Sequence, residues 1–130
     1  MIKVTVLMGG ISSEREVSIS SGKAVSEALK KAGYNVDEIQ ITDELLNPEK
    51  IKSEIVFIAL HGCFGEDGKI QKILEDYNIV FTGSSSSSCN LSFNKFLSRE
   101  ILDEQNIKIP KGEKIIEGEY PSLDYPLIIK

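Results

Sequence analysis

The sequence predicts an α/β fold in which a parallel sheet is flanked by helices. Two apolar segments, residues 3–8 and 55–60, have the length and composition of buried strands. Each is followed by a glycine-rich turn and then by a stretch with helical periodicity. With a further strand between them, the order is strand, helix, strand, strand, helix. Because strands joined through helices pair in parallel, we expect a Rossmann-like sheet.

The first helix is predicted from its two ends. Ser13 and Glu16 have the spacing of a capping box, which would start a helix. Gly33 stands where a helix would stop in the left-handed conformation. Residues 34–41 then alternate as a second strand, and residues 42–53 are polar, with one short helical turn. The apolar residues at helical spacing, expected to form the buried face, are Val17, Ala24, Val25, Ala28, Leu29 and Ala32.

The second half of the chain continues this pattern as far as residue 105. The elements expected there are helices at 69–77 and 94–105, a short fourth strand at 80–83, connecting strands at 107–110 and 113–116, and a last apolar strand at 125–130. The serine run at 84–88 fits either a flexible linker or a tight turn that leads into a helix. Because the last strand has no turn or cap after it, we expect a truncated chain. The predicted domains are residues 1–93 and the start of another at residues 94–130.

Composition and charge exclude several classes of protein. The chain has 130 residues, 41% of them hydrophobic and 27% charged, as in a soluble globular protein. Because its net charge is -5 and its basic residues are scattered, we expect no nucleic-acid or membrane partner. No apolar run reaches the roughly 20 residues of a membrane span, and no signal peptide precedes the first strand, which favours the cytoplasm. Cys63 and Cys89 lack a zinc-ligand spacing and are expected to be buried free thiols.

The most informative segment is HGCFGEDG, residues 61–68, which holds the only histidine of the chain. It follows a predicted parallel strand, so it should lie at the carboxyl edge of the sheet, where open α/β folds bind ligands. Its glycines let the backbone approach a small ligand closely, and His61 adds a titratable donor. A lone histidine is more often structural than functional, so the position of His61 is what favours a binding role.

Two other kinds of site are disfavoured by spacing. Glu66 and Asp67 are adjacent in a turn and cannot easily direct both carboxylates at one ion, so we expect no metal site. Asp67 before Gly68 is typical of a turn former or helix cap. The double glycine at residues 9–10 lacks the G-x-G-x-x-G spacing of a dinucleotide site, which argues against a nicotinamide-binding module.

Three motifs in a fixed order resemble one known family. They are MGGISSEREVS at residues 8–18, HGCFGEDGKIQ at residues 61–71, and FTGS at residues 81–84 with Asn94 and Lys95. Together they resemble the amino-terminal part of D-alanine–D-alanine ligases. The final YPLIIK, residues 125–130, is similar to the first strand of that family's central ATP-grasp domain. The resemblance implies a pre-ATP-grasp sheet followed by the first strands of an ATP-grasp domain.

The resemblance also implies an activity and its cofactors. The family joins two D-alanines for cell-wall peptidoglycan synthesis, using ATP and magnesium, through an acyl phosphate of the first D-alanine. Its enzymes form homodimers, and their magnesium ligands lie outside the part that this chain resembles. The chain departs from the family pattern at Asn94, where the family usually has Asp, and at Arg99, where Lys is common.

Five residues match positions with roles in the family. The resemblance implies that Glu14 binds the ammonium of the first D-alanine, that Val17 also binds this substrate and that His61 orients its carboxylate. It further implies that Lys95 and Lys130 are nucleotide-binding lysines. From the residues alone other interpretations stay open: an acid at a helix start favours the dipole, and most surface lysines are solvated.

Two rival functions belong to other classes. The chain could be a non-catalytic module that binds a small molecule, or a dimerisation module. The length of the encoding open reading frame discriminates between a ligase and these rivals, because a longer frame would contain the missing catalytic parts. We expect the 130-residue chain alone to be inactive as a ligase.

Overall fold

A computed structural model describes residues 1–128 and divides the chain into two compact units, Met1–Asn94 and Lys95–Lys130. The identity of these units with the two predicted domains stays a prediction. The elements of the first unit are β1 (Lys3–Gly9), α1 (Arg15–Lys31), β2 (Asn35–Ile41), a 3-10 turn (Pro48–Lys50), β3 (Ile55–Ile58), α2 (Lys69–Asp76) and α3 (Ser86–Phe93); the second unit contains α4 (Lys95–Glu104). None of the helices within residues 1–128 is long and apolar enough to cross a membrane.

The sheet has the strand order β2-β1-β3, and both pairings are parallel. The central strand β1 is buried from Val4 to Gly9 because neighbours cover both of its edges and helices or loops cover its faces. The predicted α/β class with a parallel sheet is therefore confirmed. The expected fourth strand is reduced to one parallel bridge between Phe81 and Val56. It stays short because the residues on either side have positive φ angles, 54° at Asn78 and 113° at Gly83.

Alternate residues of β1 face two different apolar clusters. Leu7 packs into the larger cluster, which also contains Phe64, Ile70 and Leu74 from the loop and helix after β3. Val6 and Met8 face the opposite side, where Val25 and Leu29 of α1 pack against them. The turn that carries His61 is thus anchored in the core through buried Phe64.

The buried face of α1 differs from the predicted one. Ser18, Gly22 and Ser26 are its buried residues, and of the expected apolar stripe only Val25 and Leu29 pack against the core. The reason is close approach: a Cβ atom on Gly22 would lie 2.5 Å from the Cβ of Met8, so this contact line admits only small residues. The residues of the stripe that are exposed instead are Val17, Ala24, Ala28 and Ala32.

The ends of α1 confirm one prediction and contradict another. The predicted capping box is wrong: the N-cap is Glu14, and its side chain makes no capping hydrogen bond. The start of the helix is displaced because the Ser12 hydroxyl accepts from the Glu14 backbone N–H and holds the turn. Gly33 does follow the C-cap with φ +89°, and the Tyr34 N–H donates to the Leu29 carbonyl as in a Schellman motif.

The serine run is a tight turn that leads into a helix, which excludes the linker interpretation. Ser85 is the N-cap of α3, and its side chain accepts from the Ser88 N–H. The Glu75 carboxylate accepts from both the N–H and the hydroxyl of Ser86. These hydrogen bonds, first of all that from the Ser86 side chain, hold the pKa of Glu75 below its usual value.

The second unit contains α4 but none of the strands predicted after it. Residues 107–110, 113–116 and 125–128 are all outside strands, and the end of the last expected strand, including Lys130, lies outside the described residues. Hydrogen bonds to side chains hold this region together in place of the backbone pairing of a sheet. The Glu113 carboxylate accepts from the hydroxyl and N–H of Ser122 and from the Leu123 N–H. The Ser122 side-chain bond is the main cause of a lowered Glu113 pKa.

Both cysteines are free thiols, but the prediction that both are buried is wrong. Cys63 is exposed because its neighbour Phe64 turns into the core with φ +70°, which leaves the Cys63 side chain on the solvent side of the turn. Cys89 is partly buried in α3, and this burial is the main reason that its thiol pKa is raised.

Candidate functional site

Two turns meet at the carboxyl edge of the sheet, one after β1 and the other after β3. Gly62, in the second turn, has φ +68° and touches the first turn. A Cβ atom placed on Gly62 would lie 2.9 Å from the Ser12 Cβ and 3.1 Å from the Glu14 Oε2. The Glu14 carboxylate therefore lies against the residue that follows His61, as the parallel topology predicts.

The Ser12 hydroxyl joins these two turns directly. It donates a 2.7 Å hydrogen bond to the His61 carbonyl and accepts a 3.2 Å hydrogen bond from the Glu14 N–H. The sequence interpretation treated Ser12 only as part of a turn. No local signal identifies this role, because the His61 partner is 49 residues away.

Glu14 presents its carboxylate at the open side of this edge. Its side chain is exposed and is not used for capping α1. Val17 follows one turn later on α1 and is 57% exposed. Both residues thus lie near the start of α1 with their side chains accessible to a ligand.

The His61 ring lies between a serine and a glutamate. Its Nε2 is 3.5 Å from the Ser21 Oγ of α1, and its Nδ1 is 3.7 Å from the Glu66 Oε1. The second oxygen of Glu66 accepts a 2.9 Å hydrogen bond from the Gly62 N–H. With 34% of its side chain exposed, the imidazole can reach a ligand. Ser21 lies near its Nε2 and Glu66 near its Nδ1.

The rest of the second turn is held by its own side chains. Asp67 accepts from the Phe64 N–H at 3.0 Å and from the Lys69 N–H at 3.1 Å, which confirms it as a turn former at the start of α2. Buried Gln71 donates to the Gly65 carbonyl at 2.8 Å. Residues 1–128 contain no group of three His, Cys, Asp or Glu side chains that could hold a metal ion.

Arg15 and Ser18 are two further positioning side chains that sequence reasoning missed. The Arg15 guanidinium donates to the Gly10 and Ile41 carbonyls, and so ties the start of α1 to the ends of β1 and β2. Buried Ser18 accepts from the Gly9 N–H and donates to the Ala59 carbonyl. A basic residue at a helix N-terminus opposes the dipole, and this conflict was the available signal for Arg15.

A separate groove of about 560 Å³ lies beside the first turns of α2 and α3. Lys69 and Lys72 line it, and hydrogen bonds to Glu44 and Asp76 respectively are the main causes of their raised pKa values. Because these carboxylates already neutralise the lysines, the groove offers no concentrated positive charge. Neither Glu14 nor His61 lines it.

The two predicted nucleotide lysines belong to the second compact unit, whereas this edge belongs to the first. Lys95 begins α4 in the second compact unit. Lys130 lies outside the described residues. Their roles, like those of Glu14, Val17 and His61, stay predictions.

Comparison with known proteins identifies the family. The family model described as the D-ala D-ala ligase N-terminus matches residues 3–46 and 42–84. The chain belongs to the D-alanine–D-alanine ligase family. A D-alanine–D-alanine ligase from Syntrophotalea carbinolica is 44% identical over 98% of this chain, and one from Aquifex aeolicus is 40% identical over 99%. The crystal structure of the Bacillus anthracis ligase complexed with ATP superposes with a TM-score of 0.85 at 33% identity, over 95% of this chain.

The chain is considerably shorter than these relatives. It spans 43% of the Syntrophotalea ligase, 46% of the Aquifex ligase and 43% of the Bacillus anthracis chain. The similarity therefore concerns the amino-terminal part of a D-alanine–D-alanine ligase, which includes both turns of the candidate site.

Proposed function

We propose that this chain is the amino-terminal part of an ATP-dependent D-alanine–D-alanine ligase and holds the first D-alanine. The observation that carries the proposal is the placement of Glu14 beside the turn that contains His61, at the ligand-binding edge of a parallel sheet. We infer D-alanine as the substrate from the family to which the chain belongs and from the names of its relatives.

The charges of this edge suit a zwitterionic amino acid. D-alanine carries an ammonium and a carboxylate, so its site needs an acceptor with negative charge and a donor beside it. The exposed Glu14 carboxylate can hold the ammonium through a charge-assisted hydrogen bond. The His61 imidazole can donate to the carboxylate, and the Glu66 Oε1 lies 3.7 Å from its Nδ1. Val17 supplies apolar surface near Glu14.

The chain's own residues would orient the first substrate for reaction. When bound, ATP would supply a phosphoryl group to the D-alanine carboxylate and leave as ADP. The amine of a second D-alanine would then attack the acyl phosphate and displace inorganic phosphate. Chemistry of this kind depends on positioning and charge neutralisation more than on a protein nucleophile. Lys95 and Lys130 are our candidates for phosphate contacts, because a lysine ammonium pairs with phosphate as a point charge. We place the magnesium ligands outside this chain.

The wider setting follows from the same proposal. The full-length enzyme would act in the cytoplasm on peptidoglycan precursors and would be a homodimer, whereas the 130-residue chain alone would be inactive. A non-catalytic binding or dimerisation module is the alternative. It is favoured only if the encoding open reading frame ends with residue 130.

The experiment is a ligation assay on the full-length protein that contains this chain. We expect ADP release that depends on D-alanine, together with formation of D-alanyl-D-alanine detected by mass spectrometry. The isolated 130-residue chain, assayed in parallel, should form no dipeptide. A full-length protein that releases no ADP with D-alanine would contradict the proposal.

A further inference from the structure

The Ser12 hydroxyl connects two backbone segments that the sequence separates by 49 residues. It gives its single proton to the His61 carbonyl and accepts the proton of the Glu14 N–H. Its Cβ also packs against the position where Gly62 would carry a side chain, at 2.9 Å. One small polar residue thus fixes the second turn relative to the first.

We propose that Ser12 is a positioning residue that sets the spacing between the groups that hold the ammonium and the carboxylate of the first D-alanine. This inference rests on the function proposed above. Both charged groups of an α-amino acid are attached to one carbon, so their separation is nearly fixed. Their two protein partners must therefore be held at a matching distance if both are to bind the same molecule.

The anchoring of the first turn explains why Ser12 can act in this way. The Ser12 carbonyl accepts from the Arg15 N–H at 3.2 Å, and the Arg15 guanidinium donates to the ends of β1 and β2. Ser12 is therefore held on the sheet independently of His61. Removal of its hydroxyl would break the link to the His61 turn, while the Arg15 hydrogen bonds would still tie the start of α1 to the sheet.

A matched control lies next to it in the chain. Ser13 is exposed, and its hydroxyl has no hydrogen-bond partner among residues 1–128. Ser13→Ala removes the same atom from the same turn without breaking the link between the turns. Ser12→Thr is the complementary variant, because it retains a hydroxyl that can both donate and accept.

Steady-state kinetics on the full-length protein test the inference, with D-alanine varied at saturating ATP and the KM of the first site obtained from a fit to two D-alanine sites. We expect Ser12→Ala to raise the KM for the first D-alanine at least about tenfold while kcat changes less than about threefold. Ser12→Thr should return KM to within about threefold of the wild type, and Ser13→Ala should not change it. Ser12→Ala should unfold only slightly below Ser13→Ala, because it also loses two hydrogen bonds.

Three results would overturn this role. They are an unchanged KM in Ser12→Ala, a Ser12→Thr variant as impaired as Ser12→Ala, and a Ser12→Ala variant whose unfolding midpoint and kcat both fall far below those of Ser13→Ala. The last would assign Ser12 to folding alone. A wild-type protein that does not ligate D-alanine would instead refute the proposed function, so the two failures are distinguishable.

Discussion

The Glu14 carboxylate lies 3.1 Å from the point at which Gly62 would carry a Cβ atom. Gly62 also has φ +68°, a backbone conformation that residues other than glycine rarely adopt. Two separate constraints therefore require glycine here, one from the backbone and the other from the space that Ser12 and Glu14 fill. The same contact places a carboxylate beside the histidine turn.

Gly62→Ala should impair substrate binding more than stability explains. Gly33→Ala is the matched control, because Gly33 has φ +89° but no atom within 4 Å of its Cβ position. Both variants should lose about 1–2 kcal/mol of unfolding free energy from left-handed strain, and Gly62→Ala should lose more because its Cβ would meet the Ser12 Cβ at 2.9 Å. Only Gly62→Ala should also weaken D-alanine binding, as isothermal titration would measure. Equal binding by the two variants would exclude crowding of the site.

Glu14→Gln should remove the ammonium contact and preserve the fold. We expect a loss of about 2–4 kcal/mol in transition-state stabilisation, measured from kcat/KM of the full-length protein. Because the Glu14 side chain makes no capping hydrogen bond, unfolding free energy should change by less than about 0.5 kcal/mol. Glu16→Gln, two residues later and exposed on the same helix, is the control. Normal ligation with a much lower melting temperature would instead favour the helix-dipole interpretation.

His61→Gln should reduce activity less than Glu14→Gln does, because glutamine retains a neutral donor for the D-alanine carboxylate. His61→Ala removes that donor and should reduce kcat/KM further. Because the partly exposed His61 ring is not part of the core, both variants should keep the fold. Circular dichroism of both variants checks this. Equal activity of His61→Ala and His61→Gln would argue against a donor role for His61.

Stability in acid should report the bond between Glu75 and Ser86. The Glu75 pKa is lower in the folded chain than its usual value, so its stabilising effect is fully present above about pH 5 and is lost as the pH falls through the folded-state pKa. The wild type should therefore exceed Glu75→Gln in unfolding free energy at pH 7, and the difference should shrink towards pH 3. Urea titrations at several pH values measure this difference in unfolding free energy. Glu27→Gln, at an exposed position of α1, is the control. A constant difference would exclude the ionised carboxylate as its cause.

Local patterns predicted the framework of the first unit well. Alternation along residues 34–41 and the apolar run from Ile55 correspond to β2 and β3, and Gly33 ends α1 as expected. These signals succeed because backbone propensity and burial act over a few neighbouring residues. The position of Glu14 near His61 follows from the parallel order alone.

Most of the failures depend on contacts between distant residues. The buried face of α1 is set by its distance from Met8, which selects Ser18 and Gly22 over the alanines nearby. The link from Ser12 to the His61 carbonyl needs two turns to meet in space. Residues 107–116 have strand-like composition but form no strand within the described part of the chain. Composition alone cannot supply the partner that a strand requires.

The measurement that tests the central claim most directly is a comparison of three ligands on the full-length protein, by isothermal titration with and without Glu14→Gln. D-alanine should bind more tightly than N-acetyl-D-alanine, which lacks the ammonium, and than D-alaninamide, which lacks the carboxylate. Glu14→Gln should remove the preference over N-acetyl-D-alanine and keep the preference over D-alaninamide. Equal loss of both preferences, or no loss of either, would contradict the assignment of the ammonium to Glu14 and the carboxylate to His61.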